Sequence, residues 1–179
     1  MQRNKIIWVF SVLTVLLAWG CGGKTPNPVV QTTPPKNQTP SEPAALPQNG
    51  FKAELALIEP AAKLRSGQKE TVRVKIKNGS DVIWFAKGAA LNTRPDNKFY
   101  IAAGNRWLKS DGSLLTNMDG RYGIPKDLKP GEETEVPLLV TAPKDPGDYT
   151  LEVDLVQEGV AWFSEKGSPT ARVKVTVVK

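Results

Sequence analysis

The segment from Phe51 to Lys179 predicts an all-β domain, an antiparallel β-sandwich of about 7–9 strands. Three observations lead there. Val72, Val74 and Ile76 alternate with Arg73, Lys75 and Lys77, and the same period of two recurs at Leu151, Val153, Leu155 and at Val173, Val175, Val177; alternation of this kind gives a strand one buried face and one wet face. Turn dipeptides separate the apolar runs: Asn78-Gly79, Asp111-Gly112, Asp119-Gly120, Pro130-Gly131 and Pro146-Gly147. No window of a dozen residues carries apolar side chains at helical spacing.

In chain order, the expected strands begin with Ala53 to Ile58, followed by the run through Val72 and Ile76. Val82 to Ala86 follows and contains Trp84. Phe99 to Ala103 and Arg106 to Lys109 come before the Asp111-Gly112 turn. Glu135 to Val140 follows Pro130-Gly131, and the last two strands are those centred on Val153 and Val175. Glu152 and Asp154 on one of these, with Arg172 and Lys174 on the other, put opposite charges on facing rungs if the two strands pair. Such pairs favour that neighbour relation by a few tenths of a kcal/mol each.

Asp145-Pro146-Gly147-Asp148-Tyr149-Thr150-Leu151 resembles the tyrosine corner of immunoglobulin-like domains. The resemblance implies an immunoglobulin-like sandwich in which the Tyr149 hydroxyl bonds to upstream backbone. It puts Leu151 where an antibody domain has its second cysteine, and makes Trp84, on the third strand, the core tryptophan. With one cysteine in the chain, apolar packing replaces the disulfide. More broadly, Val74 to Val175 is similar to bacterial accessory domains found beside glycosyltransferases, methyltransferases and surface-polysaccharide exporters. That likeness rests on Asn78, Trp84, Arg106-Trp107-Leu108, Pro130-Gly131-Glu132, Pro146-Gly147-Asp148-Tyr149 and Trp162-Phe163. It implies a fold and, through the family's company, a carbohydrate-related setting.

The first 50 residues have a different composition. Arg3 and Lys5 precede an apolar run from Ile6 to Trp19, then Gly20 and Cys21, which is the anatomy of a secretory signal over residues 1–20. Leu17-Ala18-Trp19-Gly20-Cys21 resembles the lipobox of bacterial lipoproteins, with Ala18 and Trp19 departing from its usual residues. The resemblance implies cleavage before Cys21 and a diacylglyceryl group on its sulfur, and hence membrane attachment. An uncleaved anchor and a simple secreted protein are the alternatives, but the apolar run of about 14 residues falls short of the roughly 20 a spanning helix needs. Gly22 stands where an aspartate would resemble an inner-membrane retention signal, so the expected location is the outer membrane if the host has two. Residues 21–50 are rich in Pro, Thr, Asn and Gln and lack aromatics, as in a disordered tether. About 28 such residues reach at most roughly 85 Å. The domain boundaries read from sequence are therefore 1–20, 21–50 and 51–179.

Several function classes drop out. The chain has no histidine and a single cysteine, and it shows neither a phosphate-cradling glycine loop nor metal-ligand spacing. No cofactor, no metal and no catalytic residue is expected. Glu132 with Glu133, and Asp154 with Glu158, are carboxylate pairs of the kind that solvated strand faces carry. From Cys21 onward, 22 basic groups interleave with 18 acidic ones, too mild an excess for a nucleic-acid surface.

The candidate ligand-binding residues are Arg106, Trp107, Arg121, Tyr122, Glu158 and Trp162, because an aromatic face beside a guanidinium can stack on a sugar ring or grip an acid. Core packing is the competing reading for Trp107 and Trp162, and Glu158 has the alternative of bonding within its own loop. The expectation is a lipid-anchored, non-catalytic envelope protein whose domain binds or scaffolds a glycan or protein partner. The alternative is a purely structural accessory subunit of an envelope or secretion assembly.

Overall fold

The computed structural model describes residues 42–88 and 95–179. Cys21, the leader and the first part of the tether lie outside the described residues. Nine strands are present among those described: β1 Ala53–Ile58, β2 Lys63–Arg65, β3 Lys69–Asn78, β4 Ile101–Lys109, β5 Leu114–Gly123, β6 Glu133–Thr141, β7 Gly147–Gln157, β8 Ala161–Trp162 and β9 Ala171–Val178. They form a smaller sheet in the order β1-β3-β6 and a larger one in the order β2-β9-β7-β4-β5, with β8 beside β7. Pairing is antiparallel throughout except for β2 on β9, which is parallel. The chain folds as an all-β, immunoglobulin-like sandwich.

Alternation explains the packing. Val72, Val74 and Ile76 of β3 and Val136, Leu138 and Val140 of β6 face Leu151, Val153 and Leu155 of β7 across one core. Each fully buried aliphatic contributes about 1.5–3 kcal/mol. The Tyr149 hydroxyl donates to the Asp145 carbonyl at 3.0 Å, the bond that a tyrosine corner requires.

The core tryptophan of the central strands is Trp107, which corrects the assignment of that role to Trp84. Trp107 lies opposite Leu151 in the β4–β7 register and meets Tyr149 edge-on at 6.5 Å. Trp84 is equally buried but sits on no strand. Val82 to Ala86 forms only an isolated bridge from Trp84 to Leu128, with the Trp84 ring buried in the core. There its indole N–H donates to the Gly50 carbonyl at 2.9 Å, and its ring meets Phe163 edge-on at 5.1 Å.

Two other expectations change. The segments Phe99 to Ala103 and Arg106 to Lys109 belong to one strand, β4, which runs through Gly104 with a register irregularity after it. Asp119-Gly120 is not a turn but part of β5. A Cβ on Gly120 would lie 2.4 Å from the Leu139 carbonyl oxygen, so this glycine lets β5 pass close to β6. The pairing of the last two long strands is as the charges require, with Glu152 opposite Arg172. Lys174 instead faces Thr150, and Asp154 lies beyond the end of the β7–β9 ladder.

The folded unit also reaches further towards the amino terminus than composition implies. The buried amide of Gln157 donates to the carbonyls of Ala44 at 2.7 Å and Phe99 at 2.9 Å, and accepts from the Leu46 amide at 2.9 Å. Residues Ala44 to Leu46, part of the tether by composition, are thereby pinned to the end of β7. Phe99 holds a left-handed φ of 75°, a strained geometry for an aromatic residue. The Gln157 bond and the Phe99 N–H to Glu158 carbonyl bond at 2.8 Å keep it there. Gln157→Leu leaves three backbone groups without their partner, and a loss of about 3 kcal/mol in denaturant unfolding is expected. Protease cleavage between Ala44 and Gly50 should rise in parallel, and unchanged cleavage would show that the segment is held by other contacts.

Candidate binding face

A sandwich needs only its inner faces covered, yet β7 is buried on both from Leu151 to Gln157. Its outward residues Glu152 and Asp154 are 4% and 1% exposed. The outward row of β4 explains this: Ala102, Gly104 and Arg106 alternate with inward Ile101, Ala103, Asn105 and Trp107, and the missing side chain at Gly104 leaves a hollow. Trp162, carried on β8 just after the Gly159 turn, lies in that hollow. A Cβ on Gly104 would stand 2.8 Å from the indole and 2.4 Å from Arg121 Nη1.

Around the ring the structure gathers charges of both signs. The guanidinium carbons of Arg106 and Arg121 lie 4.4 and 4.7 Å from the Trp162 ring centroid. Arg121 Nε is 2.9 Å from Glu158 Oε1. Neither Nε nor Nη1 of Arg121 has an aligned hydrogen-bond acceptor among the described residues. Glu152 is held more completely. It accepts from Arg172 Nε at 2.6 Å, Thr170 Oγ1 at 3.2 Å and Arg106 Nη1 at 3.3 Å. Asp154 accepts from the Leu155 amide at 2.8 Å and the Ser164 amide at 3.3 Å, with Arg106 Nη1 at 3.9 Å.

Burial governs the titration of this cluster. It pushes the carboxyls of Glu158 and Asp154 above their ordinary range. Arg121 opposes the shift at Glu158, while the Ser164 and Leu155 bonds and Arg106 oppose it at Asp154. Burial likewise pulls the Arg121 guanidinium below its ordinary value, against the pull of Glu158.

Four of the six sequence candidates therefore converge: Arg106, Arg121, Glu158 and Trp162 occupy one patch on the outer face of the larger sheet. The structure removes the other two. Trp107 is 1% exposed in the core, because it falls on the inward register of β4. Tyr122, opposite Ala103 in the β4–β5 ladder, faces inward and packs against the same core. Trp162 is not a core residue; it covers the outside of the sheet.

Sequence reasoning missed Glu152, Arg172, Gly104 and Leu114 as parts of this site. A glycine within a strand pattern is a signal for close approach and would have marked Gly104. Beside the patch runs an open groove of about 530 Å³ lined by Arg106, Leu108, Leu114, Trp162, Glu165 and Arg172 among others. The carboxylates here are engaged by arginines and amides, an arrangement suited to holding a shape. Glu132 and Glu133 are likewise engaged, with the Lys129 amide and Lys75. Among the described residues no cluster of acidic or thiol ligands is placed to hold a metal ion.

No protein-family model matches the chain, and no curated protein matches it. Solved structures similar to it include the CARDB domain of a Pyrococcus furiosus protein, in solution and as a crystal structure in complex with di-metal ions. Both are 16% identical with a TM-score of 0.41, and each match covers 71% of this chain and 94% or 91% of the other. A beta-glucosidase from Listeria innocua in complex with glucose is similar over 72% of this chain but only 16% of its own, at 17% identity and a TM-score of 0.40.

Gly104→Ala is expected to displace Trp162 and Arg121, with a loss of about 1–3 kcal/mol in denaturant unfolding and an altered near-ultraviolet dichroism. An unchanged spectrum would mean that the ring is not seated as described.

Acidification provides a second check. Asp154 and Glu158 bind protons more readily folded than unfolded, so their contribution to stability is complete below the ordinary values of 3.8 and 4.5 and is lost as pH rises through the raised folded values. The stability of the wild type relative to the double variant D154N/E158Q should therefore grow as pH falls from neutral towards 4.5. A difference that shrinks on acidification would contradict the burial of these acids.

Proposed function

We propose that this chain is a lipid-anchored, non-catalytic protein of the bacterial envelope whose domain holds a glycan or protein partner on the outer face of its larger sheet. The observation that carries the reading is the stacking of Arg106 and Arg121 on Trp162, with Trp162 and Arg106 lining an open groove. Leu114 lies along that groove at 50% exposure. Such a platform is fixed before any partner arrives, so little side-chain freedom is lost on binding.

The anchor completes the reading. Cys21 at the end of a secretory leader supplies the acyl attachment, and acyl chains contribute about 0.8 kcal/mol per buried methylene. Twenty-two residues separate Cys21 from Ala44, where the docked segment starts. At about 3.1 Å each they span at most roughly 70 Å, enough to hold the domain clear of the lipid surface.

Two measurements test this. Mass spectrometry of the mature amino terminus should find Cys21 first and diacylated; a retained leader or a bare thiol would sink the anchor. Purified protein should co-sediment with delipidated envelope fragments, and Leu114→Glu should reduce that retention by about tenfold. Leu139→Glu, an equally exposed position on the smaller sheet, should leave retention unchanged. Equal effects of the two substitutions would remove the larger sheet's outer face from the function.

A further inference from the structure

Both outer faces of the sandwich carry outward cations, and on the larger sheet the unpaired ones border a groove. On the smaller sheet Arg73, Lys75 and Lys77 are committed, to Glu59 at 3.1 Å, Glu133 at 2.9 Å and Glu54 at 2.9 Å, while Lys69 at the start of β3 is exposed. On the larger sheet the outward cations of β2 and β9 include Lys63, Arg65 and Lys174. All three are exposed, and no acidic partner is paired with them among the described residues.

These cations border hydroxyls. A groove of about 450 Å³ on the same face is lined by Ser110, Asp148, Thr150, Lys174 and Thr176 together with the backbone between them. Ladder register orders its walls: Lys174 faces Thr150, Thr176 faces Asp148 on one side and Lys63 on the other, and Thr150 faces Leu108. One step along β7 and β9, Glu152 faces Arg172, where the groove beside Trp162 begins. The two grooves thus lie end to end along one sheet face.

We infer that this double groove binds an acidic glycan, with Lys174 and Lys63 meeting a sugar carboxylate and Ser110, Thr150 and Asp148 meeting ring hydroxyls. The inference rests on the binding role proposed above and names its ligand class. A sugar hydroxyl both donates and accepts, and the groove offers hydroxyls that do both and a carboxylate that accepts. A carboxylate on the ligand is favoured by the unpaired ammonium groups. Leu108 and Leu114 offer apolar surface to the hydrophobic side of a sugar ring, next to the partly covered Trp162. Asp148, Glu152 and Glu165 also face the track. Asp148 accepts from Thr176 at 2.7 Å, Glu152 is held by its two arginines and Glu165 accepts from the Trp162 amide at 3.1 Å. The acids therefore offset part of the positive charge, so the face suits a ligand of mixed hydroxyl and carboxylate character better than a dense polyanion.

Calorimetric titration of the full chain in detergent with oligogalacturonate tests this, with a neutral glucan and phosphatidylglycerol vesicles as comparison probes. Oligogalacturonate should bind measurably tighter than the glucan, and added salt should weaken it. The double variant K63Q/K174Q should bind about tenfold more weakly, a difference of about 1.4 kcal/mol. The control K75Q/K77Q, on the smaller sheet, should stay within twofold of wild type. Thermal unfolding of both variants keeps loss of fold apart from loss of site. Equal affinity for the neutral glucan, unchanged binding by K63Q/K174Q, or a preference for the vesicles over the oligosaccharide would each overturn the inference. Retention on envelope fragments that persists alongside any of those results would leave the binding role standing and remove only the acidic glycan.

Discussion

The arrangement depends on a carboxylate that has been taken out of water. Glu152 lies on the outward side of β7, the strand with neighbours on both flanks and a layer on both faces, and a buried carboxylate is tolerated only when its oxygens are engaged. Arg172 reaches it from β9, Arg106 from β4 and Thr170 from the segment before β9. That single clasp ties three adjacent strands together on the face opposite the core. It also fixes where Arg106 points, and Arg106 in turn is one of the two cations over Trp162. Replacing either arginine would leave the buried Glu152 carboxylate less completely engaged, so the cluster acts as a unit.

A second constraint closes the end of the sandwich where the chain enters. Gly50, Trp84, Phe51 and Phe163 form an edge-on aromatic plug, and Gln157 holds Ala44 and Leu46 beside it. A fully bonded amide on the last residue of β7 does what a further strand would otherwise do, because it satisfies backbone groups of a segment that has no ladder of its own. The same amide braces the strained Phe99. The entry of the chain, the start of β4 and the end of β7 are therefore positioned by one side chain.

Much of this was legible in the residues. Period-two alternation marks β3, β7 and β9, β1 and β6 are read as further strands between turn signals, and the Asp145 to Leu151 run marks the tyrosine corner. The charge pattern gave the β7–β9 pairing. What alternation missed has a physical cause in each case. β2 and β8 are too short to show a period. Asp119-Gly120 has the composition of a turn, yet its glycine serves a close approach of strands. The exchange of roles between Trp84 and Trp107 was hidden because both rings are buried, and sequence does not distinguish a ring inside a ladder from one plugging its end. For the site, aromatic-plus-arginine reasoning found Arg106, Arg121, Glu158 and Trp162 but could not separate the two faces of β4 and β5. Trp107 and Tyr122 were therefore grouped with neighbours from which the pleat divides them.

The position of the unpaired cations along the larger sheet gives the placement of charge a meaning beyond solubility. Exposed ion pairs such as those of Arg73, Lys75 and Lys77 contribute roughly 0–1 kcal/mol each. Their effect is to neutralise the middle of the smaller sheet's outer face. On the larger sheet Glu152 and Arg106 are engaged beside Trp162, where they fix geometry, and the exposed Lys63, Arg65 and Lys174 are left without an acidic partner among the described residues. A face whose rigid parts are already satisfied and whose exposed cations are not has its unmet hydrogen-bonding and charge capacity pointing outward. Because the supporting side chains are held by burial instead of by a ligand, that capacity is available at little cost in ordering. What sets the larger sheet apart is that its exposed, unpaired Lys174 lines a groove together with Ser110, Thr150 and Thr176, so a cation and several hydroxyls are offered to one ligand at once.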